Sequence, residues 1–220
     1  MKTGLSLLRI AAAGVILYGI WLMVRITVPY ANFDPYWDFL LTKQLVYHIR
    51  SWRTSFYVHV FLSTFVLIAG LLQFVPSVLR QWPGVHRVAG RTYAGIVLFL
   101  SGPSGLVMSF YANGGIRART SFVIVSILWL AFTAMGWRLA LKRQWEAHAE
   151  MMLRSYALAL SALSLRFYAF LLAFSRVEMH PVTSYILVSW LSWTLNLLLA
   201  EILIRNGVLK RWMGTGLPHA

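Results

Sequence analysis

Apolar residues run in six long stretches separated by short polar joints, at 8–30, 55–79, 88–111, 120–141, 151–174 and 183–204. Each reaches or approaches the roughly 20 residues that carry a helix across about 30 Å of hydrocarbon. The runs are too long and continuous for barrel strands, and in lipid a helix satisfies every backbone N–H and C=O internally. The pattern predicts an all-α fold, a polytopic transmembrane helix bundle of about six spans, with residues 1–220 forming a single transmembrane domain. Breakers fall at the joints: Pro76, Pro83 and Gly84; Asn113, Gly114 and Gly115; Pro181 at the start of the sixth span. Pro103 lies inside the third span and is expected to kink it.

Two segments refine this outline. Lys2 and Arg9 precede the first apolar run as in a signal peptide, but no small-residue cleavage site follows and Tyr18, Trp21 and Met23 continue the run. It reads as a first, uncleaved span, with Arg25 near its end placed to snorkel. The segment 31–54 mixes Trp37, Phe39, Tyr47 and Trp52 with Asp34, Asp38, Lys43 and Arg50. That mixture predicts either an interfacial helix on the outer surface or a partly ordered loop.

Composition agrees with the pattern. Only 12% of residues are charged, against about 25% in soluble domains. The chain has no cysteine, which excludes disulfides, thiolate metal sites and a cysteine nucleophile. The net charge is +14. Its cations lie between the apolar runs, so membrane lipids, not nucleic acid, are the expected partners. With the N-terminus inside, twelve cations fall on the cytoplasmic side: Lys2, Arg9, Arg80, Arg87, Arg91, Arg138, Lys142, Arg143, Arg154, Arg205, Lys210 and Arg211. Seven fall outside: Arg25, Lys43, Arg50, Arg53, Arg117, Arg119 and Arg176. The count favours both termini on the cytoplasmic side.

Ionisable groups within spans are costly and mark candidate sites. At the start of the third span, helical spacing puts His86, Gly90 and Tyr93 on one face and Arg87 with Arg91 beside them. With the free N–H groups of a helix start, these predict an anion site, or simply lipid headgroup anchoring. The fifth span opens similarly, with His148, Arg154 and Tyr156. If the third and fifth spans touch, His86 and His148 are placed to ligate haem b or a metal ion, with Arg87, Arg91 and Arg154 on propionates. Otherwise they are interfacial anchors.

His59 heads a stripe of Ser63, Val66, Gly70 and Gln73, read as a helix–helix seam or as an outer-side ligand site. Arg166 lies deep in the fifth span among small residues, which predicts that it points into the bundle. Glu201 pairs either with Arg205 one turn on, or with Arg91 or Arg154 across helices. Asn196 is placed to hydrogen-bond across the bundle. There is no P-loop, dinucleotide fingerprint, HExxH or GxSxG.

The run His86-Arg87-x-x-Gly90-Arg91-x-Tyr93, the earlier His59, and His148 followed by Met152-Leu153-Arg154-Ser155-Tyr156-Ala157 together resemble a bacterial multi-pass membrane family, domain of unknown function 2306. Trp190, Trp193, Asn196, Leu197 and Glu201 extend the likeness, which covers roughly 56–201. Ala149 departs from it, since the family usually has Arg after the later His. The resemblance implies a bacterial inner-membrane protein with a set of suspect residues and no established activity. Three functions fit: a haem- or metal-bearing electron-transfer protein, acting with a quinone; a non-catalytic accessory subunit of a larger membrane complex; and an anion- or lipid-binding, transporter-like protein.

Overall fold

The computed structural model describes residues 2–213, with side chains masked at 2–10, 210, 212 and 213. The charge-count residues Lys2, Arg9 and Lys210 therefore have side chains outside the described set. The described chain is helical and carries six helices long and apolar enough to cross a membrane.

Helix α1 (Lys2–Thr27) continues through a 3-10 turn, Val28–Asn32, that stops where Phe33 turns left-handed at φ 54°. A short α2 (Gln44–Tyr47) precedes α3 (Arg50–Gln73). The second span ends at Gln73, six residues before the expected boundary. Pro76 sets this limit, because the residue before a proline is driven out of the α region and Val75 is extended at ψ 114°.

Helix α4 (Pro76–Gln81) is a short connector, and α5 (Pro83–Ile96) starts on a second proline, which suits a first helical turn. The third span widens into a π turn at Val97–Ser101 before α6 (Gly102–Ser109) completes it. This is the effect of Pro103, which has no N–H to donate and crowds the preceding turn.

Helix α7 (Gly115–Leu141) is entered through Gly114 at φ 84°, a conformation that glycine alone adopts freely. The fifth span is two helices, α8 (Trp145–Ala159) and α9 (Ser161–Phe174), broken at Leu160. Helix α10 (Pro181–Arg205) forms the sixth, and α11 (Val208–Met213) follows.

Six spans put both ends of the chain on one side, the terminal face; residues 33–49 lie on the other, the loop face. Helix α7 packs along α8, α6 and α10, and α3 packs on α5, α6 and the π turn. Helix α9 leans instead on α10, with a light contact to α1. The fifth span is thus packed by several helices toward the terminal face and lies at the edge of the bundle toward the loop face. One apolar core centres on Val66, Leu67, Tyr93, Trp129, Tyr156 and Trp193. A second, under the loop face, joins Tyr30, Leu40, Trp52 and Phe56. Residues 33–49 fold back over the helix ends rather than trail from them: Leu40 is fully buried and Lys43 is 4% exposed.

Candidate functional site

The stripe on α3 faces the third span. His59 Nδ1 donates to the Ser101 carbonyl at 2.8 Å, Ser63 donates to Ser101 Oγ at 3.4 Å, and Tyr93 and Tyr156 press against Gly70. The Ser101 carbonyl belongs to the π turn, whose distortion leaves acceptors for side chains; Ser104 Oγ also reaches it, at 3.1 Å. Gly105 lets the imidazole in, since a Cβ there would stand 2.9 Å from His59 Cε1. Holding its proton on Nδ1, His59 keeps a lone pair on Nε2.

Near the terminal face, the end of α3 meets the start of α5. Gln73, with its amide nitrogen toward His86, donates to His86 Nδ1 at 3.2 Å and accepts the Gly90 N–H at 3.1 Å. His148 Nδ1 donates to the Gly136 carbonyl at 2.8 Å. His148 lies near enough to His86 for their charges to interact. The two rings are chemically unlike, however. His148 offers a lone pair at Nε2, whereas His86, accepting at Nδ1, carries its proton on Nε2.

Two parts of the sequence picture change here. The helices begin at Pro83 and Trp145, so His86 and His148 sit one turn in, with their own N–H groups bonded to Trp82 and Gln144 carbonyls. Each histidine thus sits just past the first-turn N–H groups of its helix. Of the three arginines, Arg87 and Arg91 are exposed, Arg87 close enough to His86 for their charges to interact. Arg154 is taken by Glu201, at 2.5 Å from Nε and 3.0 Å from Nη2, in a bidentate pair that joins α8 to α10. Among the described residues no three potential metal ligands stand together.

Both tyrosines are buried and hydrogen-bonded within the core. Tyr93 is fully buried, its hydroxyl 2.7 Å from Ser155 Oγ, which is 2.7 Å from Thr133 Oγ1. Tyr156 donates to the Leu67 carbonyl at 3.1 Å. Asn196 bonds across to the fifth span at its break, donating to the Ala157 carbonyl at 3.1 Å and accepting from Ser164 at 2.9 Å. Asn196, Glu201 and Gln73 are half-buried rather than enclosed.

Arg166 departs furthest from expectation. It does not point into a closed bundle: the side chain is exposed and donates back to the Ala162 carbonyl at 3.0 Å. Beside it a cavity of about 240 Å³ opens between α3, α6, α7 and the α8–α9 break. His59, Ser63, Trp129 and Ser126 line its interior, Lys43 and Trp52 its loop-face end, and Arg166 its side. Of the lining residues Arg166 is the exposed one, so the mouth is at Arg166. Counted at 1.5 Å per residue from Leu160, it lies about 9 Å past mid-span, inside a hydrocarbon half-thickness of about 15 Å. The mouth therefore opens sideways into the bilayer. No carboxylate lines the cavity.

Lys43, read from the sequence only as a loop cation, is part of this wall. Its Nζ donates to the Tyr111 carbonyl and to Asn113 Oδ1, each at 2.6 Å. Burial, with Arg119 nearby, pushes its pKa from 10.5 down to about 8. Nothing in the local sequence marks it; its burial follows from how residues 33–49 fold over the helix ends.

These features define a polytopic α-helical membrane protein, in contact with membrane lipids, with a mainly apolar cavity that carries a few polar side chains on one side of the bilayer. The chain belongs to the family described as "Predicted membrane protein (DUF2306)", whose model matches residues 56–204 and whose function is unknown. No curated protein and no solved structure matches it.

Proposed function

We propose that this protein binds a molecule drawn from the bilayer in the loop-face cavity. The observation that carries the reading is the mouth at Arg166, which opens at membrane depth and leads past His59 to Lys43. Helix α9 runs from mid-span toward the loop face, so its side chains tilt back toward the membrane centre. Arg166 is bonded at the level of its own turn and does not stretch toward water. A cation held there favours an occupant with a polar head. On the charge count, both termini lie in the cytoplasm of a bacterial cell, and the cavity is on the outer half of the inner membrane. The test is native mass spectrometry of protein purified in mild detergent. Wild type is expected to carry an amphiphile near one equivalent, and Ala162→Trp, which fills the cavity, to lose it. A folded wild type with no more bound amphiphile than Ala162→Trp overturns the reading.

A second reading places haem b or a metal ion between His86 and His148, for electron transfer with a quinone. It has in its favour the lone pair that Gly136 leaves on His148 Nε2. It requires Gln73 to release His86 Nδ1 so that both rings present lone pairs. Visible spectra of the oxidised and dithionite-reduced protein, with elemental analysis, test it: a colourless, metal-free, folded sample from haem- and metal-supplemented cells excludes it.

A further inference from the structure

We infer that the occupant is a single-chain amphiphile with an anionic head, a carboxylate or phosphate monoester, and that Lys43 holds the head. The inference rests on the cavity reading above and adds the ligand's charge and orientation. At about 240 Å³ the cavity is smaller than the roughly 300–1,000 Å³ that encloses a whole drug-sized ligand. It has room for a head and the first few carbons, and the rest of the chain leaves through the mouth into lipid.

The charges set the polarity of the head. Lys43 is 4% exposed and no carboxylate lines the cavity with it. Its two bonds go to neutral acceptors and its charge lies over the Phe39 ring at 5.3 Å, so dipoles and a ring face solvate it in part but no counter-ion meets it. A buried ammonium without a counter-ion is costly, and an anion in the cavity removes that cost. The other charged and titratable groups around it reinforce this. Arg119 on α7 acts on Lys43 directly. Across the cavity stand His59 on α3, Arg166 on α9 and the neutral Tyr185 on α10. Asp38, on the same segment as Lys43, takes a hydrogen bond from Tyr30 at 3.2 Å and lies close enough to Arg166 for their charges to interact. Arg166 thus has a carboxylate nearby, and Lys43 is the cation left for a ligand. Wall residues Val66, Leu67, Leu158 and Trp129 suit the first methylenes.

The experiment uses the full chain in nanodiscs of zwitterionic lipid, with nitroxide-labelled stearic acid and its methyl ester as probes and quenching of Trp52 and Trp129 as the readout. At pH 7.5 the acid is expected to bind about tenfold or more tightly than the ester, the scale of one charge-assisted hydrogen bond. Lys43→Met should bind both probes as wild type binds the ester. A Lys43→Met protein that fails to fold leaves a second measurement on wild type alone. Raising the pH from 7.5 to 9.5 can only increase ionisation of the acid but discharges Lys43, and the preference should shrink severalfold. Equal binding of acid and ester overturns the anionic head. A preference that survives both Lys43→Met and pH 9.5 overturns the role of Lys43. Quenching unchanged by Ala162→Phe, which fills the cavity without adding an indole, and by Trp129→Phe places both probes outside the cavity and overturns the cavity reading itself. A phosphate monoester of the same chain length, competing better or worse than the acid, tells which anion is preferred.

Discussion

Asn196 on the sixth span donates its amide to the Ala157 carbonyl, 3.1 Å away at the break in the fifth. Helix α8 ends two residues later and α9 begins at Ser161, so this bond stands at the break beside which the cavity opens. In lipid a carbonyl released by a helix break has no water to turn to and needs a protein donor. Asn196→Leu should therefore lower stability by about 1–2 kcal/mol, the cost of orphaning a buried acceptor. It should also loosen α9. Thermal unfolding in detergent measures the first effect, and probe binding in the cavity the second; a variant unchanged in both would show that the break holds without this bond.

Arg154 and Glu201 clamp the same two spans nearer the terminal face. Their side chains are 14% and 30% exposed, so the pair is neither fully buried nor freely solvated. Removing one partner leaves a partly desolvated charge, although Glu150, 3.8 Å from Arg154, softens the loss of Glu201. Glu201→Gln should cost about 1 kcal/mol and Arg154→Met about 1–3 kcal/mol. The double variant should cost less than the sum, because it strands neither charge. A double-mutant cycle by thermal unfolding decides; strict additivity would mean that the two side chains do not couple.

His59 and Gly105 are matched in shape. A Cβ at 105 would stand 2.9 Å from Cε1 and 3.0 Å from Nδ1 of the imidazole, which the Ser101 carbonyl holds in place. Gly105→Ala should destabilise by about 1–3 kcal/mol through overpacking. In a His59→Ala background the same substitution should be nearly neutral, since the clashing ring is gone. An equal cost in both backgrounds would trace the penalty to the helix and not to the ring.

Much of this architecture is legible in the sequence because bilayer thickness imposes a length on apolar runs. The six spans follow from it, and Pro83 and Pro181 mark where two helices start. Hydropathy alone carries the second span too far, since Val78 and Leu79 remain apolar; the backbone preference imposed by Pro76 is the better signal. The break at Leu160 has no proline or glycine to announce it, and the donor that meets its Ala157 carbonyl is Asn196, distant in sequence. That break is why Arg166 faces a cavity mouth when its small-residue stripe suggested a closed seam. The bond of Arg154 to Glu201 was one of the pairings the residues allowed, and only the packing of α8 on α10 selects it. Lys43 was least legible: a lysine in a mixed loop looks solvated until the fold of residues 33–49 seals it beneath the surface.

The buried ammonium of Lys43 gives the protein an unusual alkaline response. Its pKa falls from 10.5 in the unfolded chain to about 8 in the folded one. Between those two values the unfolded chain binds more protons than the folded one, so stability rises with pH across that window. Below about pH 8 both states carry the charge and the full penalty of burying it is present; above about 10.5 neither does, and the penalty is gone. Other groups also titrate there, tyrosines among them, so the comparison that isolates the effect is wild type against Lys43→Met. The difference in melting temperature, wild type minus variant, should increase as pH goes from 7 to 10 in detergent without bound amphiphile. Adding an anionic amphiphile at pH 7 should raise wild type selectively, because the ligand supplies the counter-ion that the fold omits. A difference that stays flat with pH would mean that Lys43 keeps an ordinary pKa, with water reaching the ammonium in the folded protein.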